Sequence, residues 1–183
     1  MRYASCLIGI AIFLAVFNFA IYDDNFQTFL INEHSNSVSA EYDHVQILEF
    51  FKTGELDLPM TVNEYEHMQD VRVVMNNFTV FSILFILIVG YWYYKKEREP
   101  LNFMPIVNSI VIVSAIASLL PHQAFEAFHR IFFPQGNYTF PADSVLITLY
   151  PGEYFFAFTA WVIGVTLLIL LFIEHVKKEA SSL

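Results

Sequence analysis

Long apolar runs alternate along the chain with polar, acid-rich stretches, and the length of the runs sets the first expectation. Four runs come near the roughly 20 mostly apolar residues that a helix needs to cross a bilayer. They are "YASCLIGIAIFLAVFNFAIY" at about 3–22, "FTVFSILFILIVGYWYY" at about 78–94, "FMPIVNSIVIVSAIASLL" at about 103–120 and "YFFAFTAWVIGVTLLILLFI" at about 154–173. Tyr91, Trp92, Tyr93 and Tyr94 close one end of the second run, as aromatic residues do at a membrane interface. The first run reads as a retained span, because "NFAIY" before Asp23 offers no small-x-small cleavage site for a leader peptide. The fold class expected is an all-α membrane protein, one membrane domain over 1–183. Four transmembrane helices carry a small extracytoplasmic cap of amphipathic helices and loops, built from 23–77 and 121–153.

Within those two polar segments the periodicity is shorter-ranged. Residues 23–40 show little of it and read as loop. In "EYDHVQILEFFKTGEL", apolar Val45, Leu48, Phe51 and Leu56 predict a short amphipathic helix ending near Gly54. "TVNEYEHMQDVRVVMNNF" predicts a helix capped by Thr61 or Asn63, with Glu64 and Glu66 in its first turn, running directly into the second span. Pro121 opens another helix, as proline does in a first turn. "PQGNYTFP" is turn-rich, and the β-branched "DSVLITLYP" reads as a short strand or re-entrant stretch.

Composition agrees with the runs. The chain is 56% hydrophobic and only 15% charged, where soluble domains carry about a quarter charged residues. A net charge of −9 without a basic patch excludes nucleic acid as a partner. The single cysteine, Cys6, excludes an internal disulfide and a cysteine-based zinc site. Charge also orients the spans. With both termini inside, six of the nine basic residues (Arg2, Lys95, Lys96, Arg98, Lys177 and Lys178) fall inside, and Lys52, Arg72 and Arg130 fall outside. Fourteen of the eighteen acids also fall outside. A multi-pass cell-membrane protein with cytoplasmic N- and C-termini is expected, with five of its six histidines at the outer face.

Those histidines are the candidate chemistry. His67 and Asp70 share a helical face with Glu64 and Val71. His122, Glu126 and His129 are spaced by four and three, on one face among Phe125, Phe128 and Phe132, with Arg130 beside them. Two readings stay open on spacing alone. One is a surface ion pair and an interfacial helix whose phenylalanines dip into lipid. The other is a reaction centre, since ionisable groups at membrane depth are costly and histidine carries protons near neutral pH. His-x-x-x-Glu-x-x-His is not the zincin spacing, and nucleophile-elbow, Walker and dinucleotide signatures are absent, so no metal or cofactor is expected. Asn77-Phe-Thr and Asn137-Tyr-Thr match the glycosylation triplet, which arises readily by chance.

Two stretches carry a resemblance: "EYEHMQDVRVVM" before the second span and "AFHRIFFPQGNYTFPADSVLITLYPGEYFF" leading into the fourth. With the four-span layout they resemble the integral membrane family of the lipoprotein intramolecular transacylase, Lit. The shared pattern is His-aromatic-or-Met-x-Asp-Val, then Phe-His-x-x-Phe-Phe, a Gly-x-aromatic-x-Phe turn and Leu-Ile-x-x-Tyr/Phe-Pro. Tyr138 stands where the family has tryptophan. The resemblance implies an acyltransferase that moves an acyl chain from the sn-2 ester of a diacylglyceryl-cysteine to that cysteine's α-amino group, at the outer leaflet. Its partners would be the lipidated N-termini of lipoproteins and membrane lipids. The motif histidines implied as catalytic are His67 and His129. The supporting candidates are Asp70, to orient a ring, Glu126 and Arg130, to bind or polarise the polar head, and His122. The alternative is a non-enzymatic protein of the same fold that binds a lipid or protein partner. A metal- or proton-linked membrane protein is a third reading, and the lack of charged residues at mid-span argues against its transporter form.

Overall fold

The computed structural model describes residues 3–95 and 101–182. Of the basic residues counted above, Arg2, Lys96 and Arg98 lie outside the described residues. Eight helices make up the described chain: α1 (Tyr3–Tyr22), α2 (Asp24–His34), α3 (Ala40–Thr53), α4 (Val62–Lys95), α5 (Met104–Leu119), α6 (Pro121–Phe132), α7 (Val145–Leu149) and α8 (Gly152–Ser182). Among the described residues there is no strand. Three helices, α1, α4 and α8, are long and apolar enough to cross a membrane. The fourth expected span is α5, which at 16 residues is about 24 Å long against a hydrocarbon core of about 30 Å. It breaks at Leu120 and turns by 106° into α6. The break has a local cause. Leu120 precedes Pro121, whose ring disfavours helical backbone in the residue before it, and Leu120 leaves the helix at φ −129°, ψ 56°.

Two compact units form. One contains the chain up to Phe19, Thr79–Gln123 and the chain from Ala160. Its buried centre is Phe103, Val107 and Leu170, with Ile8, Ile12 and Leu167 packed around them. Its surface is unlike that of a soluble bundle. Leu84, Leu87, Ile88, Ile112, Val113, Leu168 and Phe172 are all exposed, which suits acyl chains rather than water as the solvent.

The second unit gathers Ala20–Phe78 and Ala124–Thr159, nearly the two segments expected outside the membrane. Its core is Leu30, Ile31, Ile47, Phe50, Met68, Leu146, Leu149 and Tyr154. α2 packs on α3, and α3 on α7. Three expectations change here. Residues 24–34 are a helix, not loop. Asp23 caps it by accepting the Phe26 N–H at 2.7 Å, and the face it buries, Gln27, Leu30 and Ile31, is too short to show as periodicity. On α3 the buried stripe is His44, Ile47 and Phe50, one residue out of step with the expected Val45 and Leu48, and Val45 is exposed. Residues 145–149 are a helical turn, not a strand, because Ser144 Oγ accepts the Ile147 N–H at its start.

Other expectations hold. α3 ends at Gly54, which takes φ 84°, a conformation only glycine adopts cheaply. Arg72, reaching from α4, donates to the Phe51 carbonyl at 3.2 Å and so places its cation at the negative end of α3. α4 runs unbroken through 34 residues, with no charged side chain from Val73 to Tyr94. Its acidic first turns therefore precede its apolar part.

Candidate active site

The start of α4 is fixed by a capping box. Thr61 Oγ1 accepts the Glu64 N–H at 3.3 Å, and the Glu64 carboxylate accepts the Thr61 N–H at 2.9 Å and its hydroxyl at 2.8 Å. This pairs helix-end donors that would otherwise be orphaned. Glu64 is only 1% exposed, and its second oxygen accepts the Leu146 N–H at 3.0 Å. One buried carboxylate thus ties α4 to α7. Burial alone would raise its pKa, but the donors from Leu146, Thr61 and Ser144 outweigh that, and the pKa falls below the usual carboxylate range.

One turn on, His67 faces into the second unit and is 8% exposed. Its ring packs on Phe133 at 4.8 Å and Phe140 at 5.5 Å between centroids. His129, from α6, lies with its ring centroid 6.3 Å from that of His67, the planes inclined by 27°. It is half-buried and packs on Phe125 at 3.9 Å, Tyr138 at 4.8 Å, Phe128 at 5.2 Å and Phe133 at 5.6 Å. Buried Phe133 touches both imidazoles. The two motif histidines, 62 positions apart, therefore converge in an aromatic setting within one unit.

The electrostatics follow from that setting. His67 has its pKa lowered first by burial and then by His129, with Asn137 and Asp70 pulling it back up. His129 is lowered by burial, against the Phe125 carbonyl and Glu126. Both shifts favour the neutral form of the ring. The His129 tautomer follows from its partner. Nδ1 lies 2.9 Å from the Phe125 carbonyl, which can only accept, so Nδ1 carries the proton and Nε2 keeps its lone pair.

The supporting candidates are distributed unevenly. Asp70 is on the His67 side of α4, but its hydrogen bonds go to the 134–140 turn. Oδ2 accepts Gln135 Nε2 at 2.6 Å and Asn137 Nδ2 at 2.8 Å. Glu126 and Arg130 form an ion pair at 3.2 Å with the guanidinium largely in solvent, worth at most about 1 kcal/mol. Glu126 also favours the charged form of His129. His122 is exposed at the start of α6 and falls in the first unit. Sequence reasoning missed Gln135, Asn137 and the double contact of Phe133. Asn137 was noticed only as a glycosylation triplet, yet its amide is half-buried and bonded to Asp70. The one sequence signal was Gly136, flanked by both amides. It takes φ 82°, closing a turn in which its N–H meets the Phe133 carbonyl at 3.0 Å.

A second buried histidine lies elsewhere in the unit. His44 is 2% exposed, with Nδ1 2.8 Å from the Tyr150 hydroxyl. Burial, partly offset by Asp24, pushes its pKa down to about 4.

Fold and site together define an all-α integral membrane protein with a two-histidine centre packed in phenylalanine. Residues 3–155 match the family described as "Lipoprotein intramolecular transacylase Lit", and the chain belongs to that family. No curated protein and no solved structure matches the chain.

Proposed function

We propose that the protein is a lipoprotein intramolecular transacylase. It moves the sn-2 acyl chain of a diacylglyceryl-cysteine to that cysteine's α-amino group. Family membership supplies the reaction class, and one observation carries the assignment of residues: the rings of His67 and His129 converge at 6.3 Å among aromatic side chains. Ester-to-amide transfer needs a base for the attacking amine and a proton donor for the departing oxygen. The amine nitrogen bonds to the ester carbonyl carbon, the bond from that carbon to the sn-2 oxygen breaks, and a proton lost by nitrogen ends on that oxygen. His129 Nε2 is a free base for this step, and His67 is close enough for the same substrate to touch both. The phenylalanines accommodate acyl chains and keep water away, so that transfer outruns hydrolysis. The excess of Lys and Arg on the opposite loops supports a site at the outer face of the cell membrane, with both termini in the cytoplasm. Lipidated lipoprotein N-termini are presented at that face.

The test is mass spectrometry of a lipoprotein N-terminus from a bacterium lacking other N-acylating enzymes. The host expresses the native chain, His67→Ala or His129→Ala. The native chain is expected to yield N-acylated lyso-form cysteine, and either variant diacylglyceryl-cysteine. An unchanged lipoprotein with the native chain folded in the membrane would refute the reading and leave a binding protein of the same fold.

A further inference from the structure

The hydrogen bonds around Asp70 fix more than the turn. An ionised carboxylate only accepts, so the Asn137 group 2.8 Å from Asp70 Oδ2 is the amide nitrogen. The Asn137 carbonyl oxygen then points away from Asp70. That oxygen is buried and has no hydrogen-bond partner, and in the same cluster the buried Nδ1 of His67 has none either. One atom can only accept, and the other can donate. Buried polar groups without partners are costly, so a pairing that satisfies both is strongly favoured. Asn137 is also among the neighbours that favour the protonated form of His67, which puts its side chain beside that ring. His129 uses the same device, with the Phe125 carbonyl on its Nδ1.

We propose that Asn137 is a positioning residue for His67, its side-chain oxygen taking the Nδ1 proton so that Nε2 is held as the free base, and that Asp70 acts on the histidine through Asn137. For its catalytic meaning this rests on the transacylase reading. The arrangement itself stands apart from it. Asp70 sets which end of the amide faces the ring, and the amide sets the tautomer. A ring held in the wrong tautomer presents an N–H where a lone pair is needed, which is the loss a misoriented triad histidine suffers.

The experiment is nitrogen-15 NMR of the full chain in lipid nanodiscs with labelled histidine, above the ordinary imidazole titration range, the His67 signals being assigned by their loss in His67→Gln. The native ring is expected to carry its proton on Nδ1. Asn137→Ala removes the acceptor and gives a tautomer mixture. Asp70→Asn, nearly isosteric, keeps the fold should Asn137→Ala fail to assemble. Its amide can donate to the Asn137 oxygen, turning the Asn137 nitrogen toward the ring and moving the proton to Nε2. Gln135→Ala removes the other anchor of the turn and keeps the Nδ1 proton, which separates positioning from mere tethering. In the lipoprotein assay, transfer should fall by about 10–100-fold in Asn137→Ala and Asp70→Asn, the usual range when a residue orienting a functional histidine is lost. A native ring protonated on Nε2, or an Nδ1 proton that survives both substitutions, overturns the proposal whatever the activity. Tautomer shifts as expected in a native protein that transfers no acyl chain would overturn the transacylase reading and leave the positioning role intact.

Discussion

Glu64→Gln is the sharpest structural test of how α4 is held, because it changes a charge and almost no volume. In the native protein one carboxylate serves two backbone donors, Thr61 N–H at 2.9 Å and Leu146 N–H at 3.0 Å, besides the Thr61 hydroxyl. Glutamine has one acceptor oxygen and one NH2, so whichever way its amide turns, one of those N–H groups faces another donor. The group is 1% exposed, and water has no room to repair the loss. A buried unsatisfied donor costs about 1–3 kcal/mol, and the surviving bonds lose their charge assistance. The total is about 2–3 kcal/mol. For a chain of 183 residues, each kcal/mol moves Tm by about 2–4 °C, so a fall of about 4–12 °C is expected in detergent thermal unfolding. Thr61→Ala, which removes the cap hydroxyl alone, should cost about 1 kcal/mol and fall between Glu64→Gln and native. The linkage sign gives a second readout. The Glu64 pKa is depressed on folding, so its contribution is present above the ordinary carboxylate pKa and is lost as pH falls through the folded one. Glu64→Gln should lack that acid-side loss. A Tm within about 1 °C of native, or an unchanged acid-side slope, would refute the account of this carboxylate as the joint between α4 and α7.

Three further outcomes follow from the same unit. His44, with its pKa lowered to about 4, stays neutral while the unfolded chain takes up a proton near 6.5, so stability should fall by up to about 3 kcal/mol as pH drops from about 6.5 to about 4. His67 and His129 add in the same direction, so in a Tm–pH series His44→Gln should flatten the slope without abolishing it. Gly136→Ala forces a Cβ onto a backbone at φ 82°, at about 1–2 kcal/mol, and the strained turn should loosen Gln135 and Asn137 from Asp70. Transfer should drop with little change in expression, and native activity would count against the turn. The pH–rate profile should keep its acid limb below the ordinary imidazole pKa, since burial depresses both histidines. A midpoint at or above about 6.5 would mean that the rings are not neutral when the substrate arrives.

Much of this was legible in the sequence. Twenty-residue apolar runs announce themselves by length alone, and α1 lies where its run does. The continuous helix into the second span followed from a cap at Thr61 or Asn63 and acids in the first turn ahead of an apolar stretch, while the reciprocal bonds of Thr61 and Glu64 did not. The convergence of His67 and His129 was not readable from spacing. It came from motif resemblance, because the contact joins α4 to α6 across dozens of residues. What stayed hidden depends on tertiary packing. The α3 stripe was misplaced by one residue because His44 is buried, and a histidine does not score as core. The 145–149 stretch is β-branched, and its helical turn exists because Ser144 caps it and Glu64 takes its Leu146 N–H. Asn137 was invisible as a functional residue because asparagine beside glycine means a turn, and only the Asp70 contact gives its amide a direction.

The proton balance explains why such a site would want two histidines in the same tautomer. Near neutral pH an α-amino group, with a pKa of about 7.7–8.0, arrives largely as ammonium. It must lose one proton before it can attack and a second as the amide forms. One of these goes to the departing sn-2 oxygen, and the other must leave the site. A single neutral imidazole takes one proton at a time. Two imidazoles with free Nε2 lone pairs can take both without waiting for water. His129 has that lone pair because Phe125 holds its Nδ1 proton, and the proposed Asn137 contact would give it to His67. The same burial that lowers both pKa values keeps the rings unprotonated until substrate enters. In a pair of opposite tautomers one ring would face the substrate with an N–H instead of a lone pair, leaving a single acceptor there for an ammonium substrate. On this reading the aromatic packing and the Nδ1 acceptors serve one requirement: two empty proton sites beside one ester.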